Sequence, residues 1–352
     1  MKLKKYIPTF LKYPLITIYV LYRCITRGTQ AKEIKLNLAG VLPNSKSKII
    51  VHGGKVKLLA LREYFGDSWK NFNIAYFVSS GLPFAPSLWI RIYKLFGIKI
   101  VWNQNGFAYP AWAGLNTNRI NLLMEPLQAA DYVVFQTEFT KRCTDKFLGG
   151  YKGQFSILIN PVDTKVFKPS EDLLPVDPLM VLMSGHHFES EERLRVSLES
   201  IRILRQRGHN VRLVVIGNTQ KLPEENWIDV LGRFTQSEAP NLYKKGHLLL
   251  HLKSLDPCPT FVLEAIASGL PVVALENGGL PEMLDSNSGI LIPSKEDFEV
   301  FHYPSPDAVA DAILKVKDNL IEFSRGARER ALLFDKELWL KKHEGIFNQL
   351  LK

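Results

Sequence analysis

Residues 256–282 read DPCPTFVLEAIASGLPVVALENGGLPE. The apolar run that leads into them, His247 to Leu252, has the length and bounding turn formers of a buried parallel strand. Asp256-Pro257-Cys258-Pro259 is a turn, and TFVLEAIAS is rich in helix formers and stops at Gly269 with Pro271 beyond. The order is therefore strand, tight turn, helix. Such a junction leaves the first backbone N–H groups of the helix, from Thr260 to about Leu263, without intrahelical partners at the positive end of its dipole. That is a setting for a phosphate. Asp256 on the turn and Glu264 one helical turn beyond Thr260 both face the crevice at the carboxyl end of the strand. A second strand from Pro271 to Leu275 ends in Asn277-Gly278-Gly279, and Glu282 starts another helix. Two neighbouring strand ends thus bring polar groups to one place.

Moving outward, the same alternation recurs on both sides. Toward the N-terminus, Lys48 to His52 reads as a strand, followed by Gly53-Gly54 and a helix from Val56 to Phe65. Further apolar runs lie at Ile74 to Val78, Ile98 to Trp102, Tyr132 to Phe135 and Phe155 to Ile159, with helix-length segments between them. Residues 169–178, PSEDLLPVDP, are polar and proline-rich and make a linker. Alternation then restarts, with strands at Met180 to Met183, Val211 to Ile216, Ile228 to Leu231, His247 to Leu252, Val272 to Leu275 and Ile290 to Ile292. This pattern predicts an α/β chain of two doubly wound parallel sheets with a cleft between them. The domain division is an arm over residues 1–30, a first domain over 31–170, a second over 171–335 and a C-terminal helix over 336–352 that crosses back to the first.

The 352 residues are 46% hydrophobic and 23% charged, a globular composition long enough for two domains. Cys24, Cys143 and Cys258 are too scattered for a disulfide framework or a metal cluster, which favours a reducing, cytoplasmic setting. Of the net charge of +10, residues 1–30 hold +6, from Lys2, Lys4, Lys5, Lys12, Arg23 and Arg27 with no Asp or Glu. A localised basic arm is unlike the broad basic stripe of a duplex binder, so no nucleic-acid partner is expected. Leu15 to Tyr22 is apolar but too short for a span, and Pro8 and Pro14 interrupt its approach. Tyr6, Tyr13, Tyr19 and Tyr22 suit a membrane interface. The arm is either a monotopic anchor on an anionic membrane face or a helix packed on the body.

These residues resemble family 4 glycosyltransferases. An acidic residue, seven residues and the glutamate of a Leu-Glu-Ala helix are followed by Gly-x-Pro-Val-Val and Gly-Gly-x-Pro-Glu, several positions matching in order. Asn160-Pro161-Val162-Asp163, with Phe167 and Pro169, is similar to the segment where the first domain of such enzymes ends, and Gly53-Gly54 looks like their acceptor-domain glycine loop. The resemblance covers roughly residues 48–335. It implies a GT-B architecture and a retaining transfer that requires no metal or cofactor, with a nucleotide-sugar donor as substrate. It further implies that Glu264 holds the ribose hydroxyls, that the amides of Thr260, Phe261 and Val262 hold the diphosphate, and that Asp256 holds the donor sugar. Gly185 and Gly217 fall on the donor side, while Gly53 and Gly54 let backbone approach the donor phosphate or the acceptor. Two departures stand out. Asp256 replaces the commoner glutamate, and the family's Arg and Lys-Gly after the first strand of the second domain give way to GHHFESEERLR. Arg193 is then the expected phosphate-side cation, with Arg195 as its competitor.

Other residues admit a functional and a structural reading. His247 and His251 would share a helix face, but in a strand they stand about 13 Å apart, so no metal site is expected. His186 and His187 end a strand and reach the cleft or simply occupy a loop. Cys258 lacks a partner base and reads as packing. Asn103 and Asn105, in Trp102 to Gly106, lead into Phe107, Tyr109 and Trp112. Amides and aromatic faces suit an acceptor sugar, and the alternative is a capped strand end with core aromatics. Together with His186 they form the expected acceptor side. The expectation is a cytoplasmic, membrane-peripheral glycosyltransferase of polysaccharide biosynthesis, moving sugar to a glycan or lipid-linked acceptor. The alternatives are a catalytically silent binding subunit and a nucleotide-sugar epimerase on the same fold. A nicotinamide dehydrogenase is disfavoured because no G-x-G-x-x-G follows a predicted strand.

Overall fold

A computed structural model describes residues 9–26, 33–39, 53–171, 175–185, 190–217, 222–235 and 237–352. The first domain opens with helix α1 (Thr9–Ile25), strand β1 (Leu36–Leu38) and helix α2 (Gly53–Phe65). It continues through β2 (Ile74–Val78), α3 (Pro86–Leu95), β3 (Lys99–Gln104), the short helices α4 (Pro110–Ala113) and α5 (Thr117–Leu122), β4 (Tyr132–Phe135), α6 (Glu138–Phe147) and β5 (Gln154–Ile157). Its five described strands are all parallel and lie in the order β1-β2-β3-β4-β5. Side-chain alternation divides the two faces. Ala75, Phe77, Ile100, Trp102, Val133 and Phe135 point to the side covered by α1, α3 and α6. Ile74, Tyr76, Val101, Tyr132 and Val134 point to the side covered by α2.

The second domain comprises β6 (Leu179–Ser184), α7 (Glu191–Gln206), β7 (Val211–Ile216), β8 (Ile228–Gly232), α8 (Ala239–Tyr243), β9 (Leu248–His251), α9 (Thr260–Ala267), β10 (Val272–Glu276), α10 (Leu280–Met283), β11 (Gly289–Pro293), α11 (Pro306–Asp318) and α12 (Leu320–Leu332). Its parallel order, β11-β10-β9-β6-β7-β8, reverses between β6 and β9. That is the doubly wound order, and its ligand crevice lies outside the carboxyl ends of the strands at the reversal. The last helix, α13 (Lys336–Leu351), leaves the second domain and buries Trp339, Leu340, Ile346 and Phe347 among Leu36, Leu61 and Tyr76 of the first. His343 on that helix meets the Tyr76 hydroxyl at 2.9 Å.

Three local expectations are revised or left aside. Helix α1 runs through Pro14 rather than being interrupted there, at the cost of one i→i−4 hydrogen bond. The helix-length segment before Tyr132 breaks into α5 and a 3-10 turn at Glu125–Ala129, with Pro126 at the break. The strand expected at Lys48 to His52 lies outside the described residues, and the edge strand that pairs with β2 is Leu36–Leu38. Among the described residues no helix is long and apolar enough to cross a membrane.

Candidate active site

The chain leaves β9 through a constrained turn. Leu255 adopts the left-handed region at φ 53°, unusual for a branched residue, and its N–H donates to Asn277 Oδ1 at 2.9 Å. Asn277 also donates toward Ser254 and Ser294, so the tip of β10 holds the tip of β9. The Gly278-Gly279 pair is explained by this contact. A Cβ on Gly278 would stand 2.7 Å from the Asp256 carbonyl oxygen, and one on Gly279 would stand 2.1 Å from that of Pro257. Gly279 N–H donates to the Asp256 carbonyl at 2.9 Å.

The turn buries Asp256 to 7% exposure beside the Lys253 ammonium, with Nζ at 3.0 Å, and the His251 ring, with Nε2 at 3.4 Å from the same carboxylate oxygen. Burial alone would raise the carboxyl pKa; Lys253 and His251 outweigh it and hold the group well below the usual carboxylate range. Asp256 is therefore a fixed anion. His251 is kept neutral chiefly by its own burial, with Asp256 opposing.

Helix α9 follows at once. Its Val262 and Leu263 amides already donate to the Pro259 carbonyl at 3.1 and 3.3 Å. Val262, one of the three expected diphosphate amides, therefore already has an intrahelical partner. Among the described residues Thr260 and Phe261 donate no backbone hydrogen bond, and they remain as the helix-end donors. Glu264, one turn on, accepts from the Tyr243 hydroxyl at 2.7 Å. Burial raises its carboxyl to about 7, with the Tyr243 hydrogen bond opposing. Tyr243, a partner that sequence reasoning missed, arrives from α8 and packs on Phe261 at 5.2 Å between ring centroids.

Of the two expected phosphate-side cations, one is buried and the other is held in a surface ion pair. Arg193 is 2% exposed and close enough to His251 to depress its basicity. The reason is the helix phase of α7, whose Arg193, Leu194, Ser197 and Ile201 share the inward side. Arg195 points outward and is held by both Glu192 oxygens at 2.8 and 2.6 Å. Lys253, not singled out from sequence, is the cation that reaches Asp256. Gly185 and Gly217 end β6 and β7 and donate to the Ile216 and Gly232 carbonyls at 2.8 and 3.0 Å. Gly217 does so at φ 109°, a conformation that requires glycine.

On the first-domain side, Gly53 and Gly54 form the first turn of α2. One turn on, Lys57 is 1% exposed and donates to Asn103 Oδ1 at 2.6 Å and Asn105 Oδ1 at 2.5 Å. Burial brings the amine down to about 7. Asn103 is fully buried and Asn105 nearly so. They brace the cleft floor from beneath, because their side chains take the α2 face of β3. Asn105 passes the support upward, donating through its backbone N–H to Ser79 Oγ at 2.9 Å and through Nδ2 to Ser80 Oγ at 2.5 Å. His186, the remaining acceptor-side expectation, lies outside the described residues. Cys258 is inert as a nucleophile, since burial pushes its thiol up to about 12, and it accepts from Asn160 N–H at 3.4 Å.

The domains touch behind this floor. Glu282 accepts the Glu138 and Phe139 amides, Thr137 Oγ1 donates to the Pro257 carbonyl at 3.0 Å, and Asn160 Nδ2 donates to that of Cys258 at 2.9 Å. In front of the contact opens a cavity of about 690 Å³, walled by Ser79, Ser80, Phe107, Tyr109 and Trp112 on one side and by Lys253, Leu255 and Pro257 on the other.

Comparison with known proteins agrees with the fold. The family model described as "Glycosyl transferases group 1" matches residues 178–319, which is most of the second domain. A component of the phosphatidylinositol N-acetylglucosaminyltransferase of Arabidopsis thaliana is 23% identical over 233 residues, covering 63% of this chain and 49% of that protein. An amylovoran biosynthesis glycosyltransferase of Erwinia amylovora is 30% identical over 134 residues, covering 33% of this chain and 32% of its own. The chain thus spans about half or less of the length of these relatives. Among solved structures, the Anabaena protein HepE in complex with UDP superimposes with a TM-score of 0.62 at 15% identity, over 84% of this chain and 81% of that one. The architecture is GT-B, and over the second domain the family model supports the resemblance to glycosyltransferases.

Proposed function

We propose that this protein is a retaining glycosyltransferase of the family 4 type that transfers sugar from a nucleoside diphosphate sugar to a glycan or lipid-linked acceptor. The observation that carries the reading is the grouping of Asp256, the Thr260 and Phe261 amides and Glu264 at the reversal of the second sheet. Each group matches one part of such a donor. A carboxylate beside Tyr243 suits a ribose diol, and helix-end N–H groups suit a diphosphate on which negative charge develops as the glycosyl bond breaks. Asp256, ionised at any ordinary pH, suits the hydroxyls of the sugar. UDP is the first nucleotide to test because HepE, which shares the fold, has been crystallised with it. The Arabidopsis relative's name is consistent with a lipid-linked acceptor, and that of the Erwinia relative with polysaccharide synthesis. The basic arm supports a peripheral position on the cytoplasmic membrane face.

One observation favours a second reading, that of a catalytically silent protein that binds nucleotide. Arg193 is buried and Arg195 is engaged by Glu192, so neither expected phosphate-side cation is an unengaged, exposed guanidinium. A thermal-shift screen of nucleoside diphosphates and nucleotide-sugars tests the donor site. The expected result is stabilisation by one nucleotide, lost in Glu264→Ala, and a binder indifferent to that substitution would overturn the site. Release of nucleoside diphosphate only with acceptor present separates transfer from epimerisation. Binding without turnover across acceptors would support the silent reading.

A further inference from the structure

The cavity in front of the domain contact has a chemistry that the donor does not explain. Its walls are mainly apolar and aromatic, and Ser79, Ser80 and Lys253 stand among them. Both serine oxygens already accept from Asn105, and among the described residues neither hydroxyl donates to protein. Each O–H hydrogen is therefore available to an acceptor atom in the cavity. Lys253 spends one of its three donors on Asp256 and is 40% exposed. Two hydroxyl donors and an ammonium around one space recognise an anion.

The cavity does not close behind that anion site. Trp112 and Ile120 also wall a second hollow of about 500 Å³, which continues past Leu123 and Arg119. Beyond it stand exposed apolar side chains, with Trp112 at 55%, Leu115 fully exposed, Leu122 at 65% and Leu123 at 59%. Singly exposed leucines need no explanation, but four large apolar groups within twelve residues at the mouth of an apolar cavity do. The ridge is fixed rather than loose. Ala111 N–H donates to the Phe298 carbonyl at 2.8 Å, and Tyr109 packs on Phe298 at 5.8 Å. Charge points the same way, since residues 68–124 contain no Asp or Glu, while Lys70, Arg91, Lys94, Lys99 and Arg119 fall within them.

We infer that this track binds the phosphate-linked aliphatic chain of a lipid-linked acceptor, with the phosphate at Lys253, Ser79 and Ser80 and the chain leaving past Trp112 and Ile120 over the Leu115–Leu123 ridge. The inference rests on the glycosyltransferase reading and names its acceptor class. A neutral, wholly hydrophilic glycan would leave both the ammonium and the apolar walls without partners. The sugar-accepting end is thereby brought beside Asp256, next to the donor.

Calorimetric titration of the full chain with farnesyl phosphate, farnesol and inorganic phosphate, each below its aggregation limit, tests this. Farnesyl phosphate should bind, with farnesol at least about tenfold weaker and inorganic phosphate undetectable at millimolar concentration. Lys253→Met should bring farnesyl phosphate down to the farnesol level. Trp112→Ser, at an exposed position, should weaken both prenyl ligands at unchanged melting temperature. Binding of inorganic phosphate alone, or prenyl binding indifferent to both substitutions, would overturn the track. Titration with UDP in the same preparations keeps the two readings apart. UDP bound without farnesyl phosphate refutes the track and leaves the donor site standing, whereas farnesyl phosphate bound without any nucleotide refutes the donor site.

Discussion

The carboxylate of Glu282 caps a helix that belongs to the other domain, accepting the Glu138 N–H at 2.7 Å and the Phe139 N–H at 2.9 Å at the head of α6. Two of the orphan donors of α6 are satisfied from across the contact, and the negative charge lies at the positive helix end. Glu282→Ala should therefore lower stability by about 1 kcal/mol, a fall of roughly 2–4 °C in melting temperature for domains of this size. Nucleotide affinity should change less than twofold, because the donor groups lie on α9. Turnover should fall further than stability does, since the contact sets how the two halves of the cleft face each other. Calorimetry and initial rates on one preparation check this, and a variant with wild-type melting temperature would remove the cap from the account.

Glu264 yields a pH prediction of definite sign. Its folded carboxyl is raised to about 7, above its ordinary value, so the native state holds a proton there that the unfolded chain has released. This contribution to stability is present below the unfolded pKa and is lost as pH rises from about 4.5 to 7. Glu264→Gln should flatten that part of the melting temperature profile. A ribose diol donates to the ionised form, so nucleotide binding should strengthen as pH rises through 7 and release protons. Tyr243→Phe should weaken nucleotide binding modestly, through looser placement of the carboxylate. Titrations in buffers of different ionisation enthalpy count the protons, and a pH-independent affinity between 5.5 and 8 would contradict the ribose role.

Much of the second domain is legible in the sequence because its signals are local. Apolar runs of strand length, the Pro259-Thr260 helix start and the Gly278-Gly279 turn each need only their neighbours to be read. The missing parts are contacts between distant segments. Tyr243 and Glu264 are 21 positions apart and Glu282 and Glu138 are 144 apart, and neither pair has a spacing that marks it. Lys57 reads as an ordinary helical lysine among Lys55 and Arg62, and only the packing of α2 on β3 shows that its head is buried. Arg193 departs for a related reason, since the motif supplies the residue type while helix phase puts it inside. The edge strand Leu36–Leu38 has three residues, too few for any periodicity to show.

Lys57 titrates in the opposite sense. Burial lowers its amine from 10.5 to about 7, so between these values the unfolded chain binds more protons than the native one and stability rises with pH. The slope can reach about 1.4 kcal/mol per pH unit for one proton. Lys57→Met should abolish the rise and strand the Asn103 and Asn105 oxygens, at a cost on the order of 1–3 kcal/mol. Asn105→Asp offers a second readout, because a carboxylate beside the amine should move the rise to higher pH. Chemical denaturation from pH 6.5 to 9.5 measures both, and parallel profiles for wild type and Lys57→Met would show that another group titrates.

The arm reads from sequence as either a membrane anchor or a packed helix, and α1 has one buried face and one exposed apolar face. Val20, Arg23 and Cys24 are buried against the first domain. The Arg23 guanidinium carbon lies 4.0 Å from the Trp69 ring centroid and 5.5 Å from that of Phe72, and Nη1 donates to the Tyr93 hydroxyl at 3.3 Å. A desolvated cation among aromatic faces contributes about 2 kcal/mol, so Arg23→Ala should melt several degrees lower. Leu15, Ile18, Tyr22 and Ile25 face outward and are more than half exposed. Deleting residues 1–28 would strip the buried face as well and confound the two roles. The paired change Ile18→Asp and Tyr22→Asp touches only the outer face. If that face meets an anionic bilayer, this variant should keep its melting temperature and nucleotide affinity while losing most flotation with vesicles containing phosphatidylglycerol, and Arg23→Ala should still float at a temperature where it is folded. Wild-type binding should also weaken from 50 to 300 mM salt as the basic residues are screened. Equal flotation of the paired variant and wild type would remove α1 from the membrane contact.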